Sequence, residues 1–231
     1  MNSLPDGYHA LVFGDTGALG QALFDALRSD PRCASVKTFS RSGMPSLVLE
    51  DAQSLQRCAQ SIADHGPLHL IIDATGALTI DNTGPEKRLD DLDAQQLQRA
   101  MQVNAIGPAM LLKYFSPLLV TGERAIWAKL SARVGSIEDN RKGGWYGYRA
   151  SKAALNMFLQ TAAIEIARRR PQAVIAALQP GTVRSRLSQP FVGQEGVDPE
   201  TAARKLLEVI DKLTPSGRAY FVDHEGQVIP W

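Results

Sequence analysis

A tyrosine and a lysine four residues apart, Tyr148 and Lys152, have the types and spacing that predict chemistry in this sequence. They open a strongly helical stretch, and residues four apart on a helix share one face, so both side chains can reach the same volume. A phenol with an unperturbed pKa near ~10 is a poor acid–base catalyst at neutral pH, and a nearby ammonium group favours the phenolate. The pair predicts acid–base catalysis by Tyr148, although the same spacing is also common between helix residues that have no catalytic role.

A glycine-rich turn, Gly14–Gly20, follows the apolar segment Tyr8–Phe13 and precedes a helical pattern. Glycines let the backbone approach a pyrophosphate closely, and the new helix offers its unpaired N–H groups and positive dipole end. A plain strand-to-helix loop can look similar, but this turn follows the first strand of an alternating chain, which is the context of a dinucleotide site. The predicted cofactor-binding residues of the turn are Gly14, Thr16, Gly17, Ala18, Leu19 and Gly20.

The segment Thr38–Ser42 distinguishes between the two nicotinamide dinucleotides. An NAD site usually carries an acidic residue about 20 positions after the turn, and this segment has none. Arg41 can pair with a 2′-phosphate through its forked donors, and Ser40 can add a hydroxyl bond. NADP(H) is therefore the preferred cofactor. NAD(H) stays open, because Asp15 brings a negative charge into the turn and Arg41 also fits a solvated surface arginine.

The elements that must position these residues are short apolar segments alternating with helical patterns. The predicted strands are Tyr8–Phe13, Ser35–Phe39, Ser46–Leu49, Leu68–Asp73, Arg124–Leu130, Ala173–Leu178 and Ala219–Val222. The predicted helices are Leu19–Ser29, Asp51–Asp64, Asp93–Leu119, Tyr146–Arg169 and Pro199–Leu213. Such alternation implies parallel strands joined by right-handed helical crossovers. We predict an α/β chain: a single-domain doubly wound Rossmann fold over residues 1–231, its parallel sheet of about seven strands flanked by helices on both faces.

The composition limits the partners of the chain. With 25 Lys and Arg against 24 Asp and Glu, the formal charge is +1, which argues against the basic field of a nucleic-acid binder. Apolar segments are too short for a membrane span, so we expect a cytoplasmic protein that acts on a small molecule. His65 and His69 are separated by Gly66-Pro67, which forbids the helical spacing of a metal site. We expect no nucleic acid, membrane or metal partner.

Five motifs in order resemble the short-chain dehydrogenase/reductase family over nearly the whole chain. They are Gly14–Gly20, Asp73–Gly76, Val103–Gly107, Tyr148–Lys152 and Pro180–Ser185. The stretch Gly144–Lys152 and the ending Gly226–Trp231 are similar to a narrower branch, the C-factor-like proteins. The resemblance implies an NADP(H)-dependent oxidoreductase that interconverts a carbonyl and an alcohol by hydride transfer. It also implies self-association as a homodimer or homotetramer.

The resemblance implies a role for each matching residue. Tyr148 would exchange a proton with the substrate oxygen, and Lys152 would hold the nicotinamide ribose hydroxyls and depress the tyrosine pKa. Asn104 would position a water in a proton relay that reaches Lys152. These three side chains would thus border the cofactor as well as the substrate. The other implied cofactor contacts are Ala74, Thr75 and Gly76 on the adenosine side, and Pro180, Gly181 and Val183 at the nicotinamide.

The family's substrate-binding serine is replaced in this chain. It precedes a glycine by three residues at the end of the fifth strand, and that position is Ala132. Ser131 is the predicted catalytic substitute, although neighbouring strand residues point to opposite faces unless the strand has already ended; Ser136 is the other hydroxyl within reach. Losing one preorganised donor costs about 10²–10³ in rate. The alternative function is therefore a dinucleotide-binding regulatory or signalling protein with weak or no turnover.

Two further features carry predictions. Asp73 stands where the family often has asparagine, so its interaction with the neighbouring strand must differ. The segment Ser188–Gly196 is rich in Gly and Pro, which fits a lid over the substrate and fits a surface connection equally. Phe191 within it would line an apolar pocket. Neither feature names a substrate.

Overall fold

We analysed a computed structural model of the chain, which describes residues 1–63, 65–185 and 196–231. Within these ranges the strands are β1 (Tyr8–Phe13), β2 (Cys33–Phe39), β3 (Leu70–Asp73), β4 (Ala125–Leu130), β5 (Ala173–Gln179) and β6 (Ala219–Asp223). The α-helices are α1 (Ala18–Arg28), α2 (Ala52–Ala63), α3 (Ala94–Met101), α4 (Gly107–Phe115), α5 (Tyr146–Arg169) and α6 (Pro199–Lys212). None of the helices described here is long and apolar enough to cross a membrane.

All strands of the sheet are parallel, in the order β2-β1-β3-β4-β5-β6. The chain leaves β1 towards β2 on one side and returns to β3 on the other, so the strand order reverses between β1 and β3. Ligands of open α/β sheets bind at the carboxyl ends of the strands beside such a reversal. The doubly wound α/β fold predicted from the sequence is confirmed, with six strands in the described ranges rather than about seven.

Both faces of the sheet are covered by helices, as predicted. Phe13 and Trp127 point into a core formed with α2, α4 and α5. Their neighbours Val12 and Ile126 point into a second core formed with α1 and α6. Because helices cover both faces, the strands other than the edge strand β2 are mostly apolar and buried instead of alternating with polar residues.

The predicted strand Ser46–Leu49 is wrong. The segment folds back on the loop that follows β2, since Leu47 N–H donates to Ser40 O (2.9 Å) and Val48 N–H donates to Ser54 Oγ (2.9 Å). Leu47 is nevertheless buried. A buried connection of this kind has the same short apolar pattern as a strand, and pattern alone does not separate them.

The predicted long helix Asp93–Leu119 is divided. Asp93 caps α3, and a turn of π-helix over Gln102–Ile106 then joins α3 to α4. A short 3₁₀ turn follows α4 at Ser116–Leu118. The π-turn holds Asn104, whose side chain bonds to the backbone of Ala77 in both directions. Such single π-turns inside helices occur frequently at functional sites.

Candidate active site

One cleft of about 850 Å³ lies at the carboxyl edge of the sheet. It is lined by the glycine turn, the turn after β3, the end of β4, the start of α5 and the segment after β5. The predicted site residues that line it are Thr16, Gly17, Ala18, Leu19, Gly20, Ala74, Thr75, Gly76, Ser131, Tyr148, Lys152, Pro180, Gly181 and Val183. The structure thus joins the proposed nucleotide turn and the Tyr148–Lys152 pair in a single cavity.

Close backbone packing explains the glycines of the turn. Gly14 has a φ of +83°, in the left-handed region that favours glycine, and its N–H donates to Phe39 O at the end of β2 (3.2 Å). A Cβ added at Gly20 would lie 2.1 Å from Gly14 O, so only glycine lets α1 pack this closely against the turn. Gly17 is the N-cap of α1 and offers no side chain to the first N–H groups of the helix. These N–H groups are available to an anion in the cleft.

Asp15 is a second sign that the turn fits a nucleotide. Its Oδ1 is buried and has no hydrogen-bond partner among the described residues. A buried carboxylate oxygen without a donor is costly, and a ligand hydroxyl would satisfy it. The turn therefore offers N–H donors to a diphosphate and one acceptor to a ribose hydroxyl.

Ser40 and Arg41 lie next to this turn but do not line the cleft. They follow β2, whose last residue, Phe39, is bonded to Gly14. Arg41 is exposed, and its backbone carbonyl accepts from Ser46 Oγ (2.6 Å). A ligand group would have to extend past the glycine turn to reach the guanidinium, so the structure leaves the predicted 2′-phosphate contact untested.

The first two turns of α5 carry the tyrosine and the lysine. Lys152 Nζ lies 5.6 Å from the centre of the Tyr148 ring and donates to Leu130 O at the end of β4 (3.2 Å). Trp145 precedes the helix with a φ of +56°, and its ring packs edge-on against Tyr148 at a centroid distance of 6.2 Å. The helical spacing thus brings both functional groups to the same wall of the cleft, as expected from the sequence.

Burial dominates the electrostatics of this pair. Burial raises the pKa of the Tyr148 phenol to about 12 and lowers the pKa of the Lys152 amine to about 7. The positive charge of Lys129 lowers the Lys152 pKa further, while Asp73 opposes it. A Lys152 amine with a pKa of about 7 is only partly charged near neutral pH, and the role of its charge in lowering the Tyr148 pKa stays a prediction.

Asn104 ties two elements together. Its Oδ1 accepts from Ala77 N–H and its Nδ2 donates to Ala77 O, both at 2.8 Å. A Cβ added at Gly76 would lie 3.2 Å from Asn104 Oδ1 and 3.4 Å from Lys152 Nζ. Both polar groups thus border the same position, the turn after β3. The hydrogen bonds describe a structural amide, and the water relay stays a prediction.

Neither Ser131 nor Ser136 can replace the missing serine hydroxyl without giving up its present hydrogen bond. Strand β4 ends at Leu130, so Ser131 and Ala132 both line the cleft and the strand alternation does not apply. The Ser131 hydroxyl donates to Asn156 Oδ1 on α5 (2.7 Å). Ser136 is buried outside the cleft lining, accepts from Asp139 N–H (2.9 Å) and donates to Trp231 O (3.4 Å). Both hydroxyl protons are engaged within the protein.

Sequence reasoning missed a second buried lysine. Lys129 Nζ pairs with Asp73 Oδ1 (3.1 Å) and donates to Thr75 O (2.5 Å). Asp73 Oδ1 in turn accepts from the N–H and the hydroxyl of Thr75, at 2.9 and 2.6 Å. The pair holds the turn that lines the cleft after β3. Two signals could have found it: a lysine inside the apolar strand Ala125–Leu130 and an aspartate where asparagine was expected.

Two other cleft residues were also missed. Arg133 follows Ala132 and lines the cleft. Its guanidinium forms an ion pair with Asp223, the last residue of β6, at 3.1 Å between Nη2 and Oδ2. Trp145 lines the cleft beside Tyr148. The predicted lid, Ser188–Gly196, lies outside the described residues except for Gly196, and Phe191 is among the residues that are not described.

A comparison with models of known protein families identifies the family of this chain. The family described as short chain dehydrogenase matches residues 44–196, so the chain belongs to the short-chain dehydrogenase family of oxidoreductases. The matched range begins after the glycine turn. The predicted family and enzyme class are confirmed.

Two curated relatives cover most of the chain. The C-signal protein of Myxococcus xanthus is 32% identical over 72% of this chain and 94% of its own length, which supports the predicted C-factor-like branch. The 1-hydroxy-2-glutathionyl-2-methyl-3-butene dehydrogenase of a Rhodococcus species is 29% identical over 81% of this chain and 79% of its own.

Solved structures share the fold. The carbonyl reductase Sniffer of D. melanogaster superposes with a TM-score of 0.83 at 22% identity, over 97% of this chain and 99% of that one. An NADPH-bound carbonyl reductase from chicken fatty liver superposes with a TM-score of 0.82 at 22% identity, over 99% and 95%.

Proposed function

We propose that this protein is an NADP(H)-dependent oxidoreductase that interconverts a carbonyl and an alcohol, with Tyr148 as the general acid–base. One observation carries the proposal: Tyr148 and Lys152 line the same cleft as a glycine turn that offers free helix N–H groups. Acid–base chemistry and dinucleotide binding would otherwise require two separate sites. Among the relatives, the Rhodococcus dehydrogenase and the carbonyl reductases have names that fit this chemistry.

The cofactor would lie across the carboxyl edge of the sheet. The α1 N-terminus would hold its diphosphate, Asp15 a ribose hydroxyl, and the Pro180–Val183 segment its nicotinamide end. NADP(H) is preferred over NAD(H), because Arg41 is the exposed cation beyond the turn and the chicken liver reductase contains NADPH. When bound, this cofactor supplies the hydride.

The side chains of this protein would handle the proton. Tyr148 would give its phenolic proton to the oxygen of the carbonyl substrate, or take it back in the reverse direction. Among the described residues, Lys152 Nζ donates one hydrogen bond, to Leu130 O, which leaves further N–H groups for ligand hydroxyls. A ligand that accepts from Lys152 favours its charged form, and that charge would then lower the phenol pKa from the value of about 12 set by burial.

The cleft lining that includes Tyr148 also has apolar side chains, among them Leu78, Ala132, Val134 and Trp145, beside the polar Ser131 and Arg133. Ala132 provides no donor for the substrate oxygen where the family has serine, so Tyr148 would polarise that oxygen alone. We therefore expect a small apolar carbonyl compound and a modest turnover rate.

The direct test is oxidation of NADPH by a panel of aldehydes and ketones. Tyr148→Phe is expected to lower kcat by about 10²–10⁴-fold, because it removes the proton donor, while the Kd for NADPH changes little. Tyr146→Phe on the same helix, outside the cleft lining, is the matched control and should retain wild-type turnover. Equal turnover by wild type and Tyr148→Phe would falsify the role of Tyr148.

A second candidate function is regulatory or signalling binding of the dinucleotide with little or no turnover. It is favoured by Ala132 and by the engaged hydroxyls of Ser131 and Ser136. The C-signal relative fits it by name. Ala132→Ser separates the two functions: about a tenfold or greater gain in turnover indicates a weakened enzyme, because a donor is restored. Tight NADPH binding with no turnover in either protein supports the second function.

Self-association and cytoplasmic location belong to the same proposal. Helix α5 presents exposed apolar side chains at Met157, Phe158 and Ile164, which supports a homodimer or homotetramer. Light scattering on the purified chain measures the subunit number, and a monomer at micromolar concentration would contradict this part.

A further inference from the structure

We propose that Glu86 is a positioning residue for Tyr148, because its buried carboxylate anchors the first turn of α5 from a loop 61 residues away. The proposal rests on the proposed function only in taking Tyr148 as the proton donor. The anchoring itself is a statement about this structure and has its own measurement.

Two hydrogen bonds connect Glu86 to the start of the helix. Its Oε2 accepts from Gly147 N–H at 2.9 Å in a buried bond. Its backbone carbonyl accepts from Trp145 N–H at 2.5 Å. Glu86 thus holds the backbone N–H groups on both sides of Tyr146, and the second of them belongs to the residue directly before Tyr148.

This helix needs an acceptor from outside its own sequence. The first N–H groups of a helix have no partner within it, and a Ser, Thr, Asp or Asn usually supplies one from the preceding position. Here that position is Trp145, and an indole N–H can only donate. Glu86 fills the role and also places a negative charge at the positive end of the helix dipole.

The contact leaves little room for movement. Glu86 is 7% exposed, and a Cβ added at Gly147 would lie 2.8 Å from its Oε1 and 3.1 Å from Leu97 Cδ2. The helix start is therefore pressed between Glu86 and α3 at the residue that directly precedes Tyr148. Any other residue at position 147 would separate them.

Glu86 and Tyr148 line one small cavity together. Its lining also includes Gln96 and Asn104, and it shares Leu78 and Tyr148 with the large cleft. Glu86 itself is absent from the lining of the large cleft where substrate would bind. It thus acts on Tyr148 through the helix and this cavity wall, without touching the reacting atoms.

The test compares three variants. Glu86→Ala removes the acceptor, Glu86→Gln keeps an amide oxygen in its place, and Asp198→Ala removes an equivalent cap, the bond to Thr201 N–H at the start of α6. We expect Glu86→Ala to lower kcat by about 10- to 100-fold with the KM of the carbonyl and the Kd of NADPH within twofold, because misplacement of the donor affects the chemical step. Glu86→Gln should recover most of kcat. Asp198→Ala should lose stability with kcat unchanged.

A second readout does not need turnover. In protein with ¹³C-labelled tyrosine, the Tyr148 ring resonance, assigned with Tyr148→Phe, should shift in Glu86→Ala and stay in place in Asp198→Ala. The amides of Gly147 and Tyr148 should exchange with solvent faster in Glu86→Ala alone. An unchanged resonance and unchanged exchange overturn the proposal, as does a wild-type kcat in folded Glu86→Ala. If the wild type shows no more turnover than Tyr148→Phe, the proposed function fails while this readout still decides the anchoring.

Discussion

Two neighbouring buried lysines, Lys129 and Lys152, differ in the groups that accept hydrogen bonds from their ammonium nitrogens. Lys129 is the penultimate residue of β4, its side chain is 1% exposed, and its ammonium group contacts Asp73 Oδ1 and the backbone and hydroxyl oxygens of Thr75. Lys152 in α5 is 3% exposed, and the bond in which it donates goes to the Leu130 carbonyl. Burial lowers the pKa of both amines, but Asp73 pairs directly with Lys129 and opposes the shift there, whereas the pKa of Lys152 falls to about 7.

The difference separates a structural lysine from the one proposed to act on the ligand. Lys129 holds the turn after β3 and has its counter-charge within the core. Lys152 has N–H groups that face the cleft, where a bound hydroxyl would complete them. Burial alone does not indicate a functional residue. A buried charged group that lacks a counter-charge and some of its hydrogen-bond partners is a better indication.

Breaking the structural pair should give the largest effect. Lys129→Met or Asp73→Asn leaves one buried group without its partner, and each is expected to lower the free energy of unfolding by about 3–5 kcal/mol. Urea denaturation measures the loss. The double variant, Asp73→Asn with Lys129→Met, should recover most of it because no charge is left unpaired. If the two losses simply add, the pair does not act as a unit.

Lys152 should make the free energy of unfolding depend on pH. Its folded pKa of about 7 lies below the unfolded value of about 10.4, so the unfolded chain binds more protons between these values. The free energy of unfolding should therefore rise with pH from about 7 to about 10, by an amount on the order of a few kcal/mol.

Lys152→Met isolates this contribution. It removes the titrating group, so the difference between wild type and variant should shrink as pH rises through that window, whereas both Cys thiols remain as common background. Urea titrations at pH 6, 8 and 10 suffice. A constant difference across the three pH values would mean that the folded pKa of Lys152 is not depressed.

Cofactor binding should distinguish the two lysines with a smaller effect. Lys152→Met is expected to weaken NADPH about tenfold, the contribution of one hydrogen bond to a charged group. The double variant at Asp73 and Lys129 should change the Kd by less, since that pair touches the turn and not the ligand. Fluorescence titration gives both constants, and equal weakening by the two variants would contradict the distinction.

Most of the fold could be predicted because its signals are local. Alternating apolar segments and helical patterns predicted the order of elements, and Gly14–Gly20 predicted the turn between β1 and α1. Ser46–Leu49 was predicted wrongly, since burying Leu47 in a connection leaves the same pattern as burying it in a strand. The π-turn at Gln102–Ile106 contains a side-chain bond to Ala77, 27 residues away, which no local pattern contains.

The site shows the same division between local and distant contacts. Tyr148 and Lys152 are four residues apart, so helical spacing alone places them together. The Lys129–Asp73 pair joins residues 56 apart and the Glu86–Gly147 bond joins residues 61 apart. Their partners are known only once the strand order brings the carboxyl ends of β3 and β4 side by side. The engaged hydroxyl of Ser131 was hidden for the same reason, because its acceptor Asn156 lies on another element.

A crystal structure of the chain with NADP⁺ tests the central claim most directly. The account predicts the nicotinamide ribose hydroxyls within about 3.2 Å of Lys152 Nζ and the Tyr148 hydroxyl facing the ring. A cofactor bound away from the cleft, or a Tyr148 hydroxyl turned from the nicotinamide with Lys152 still bonded to Leu130 alone, would contradict it.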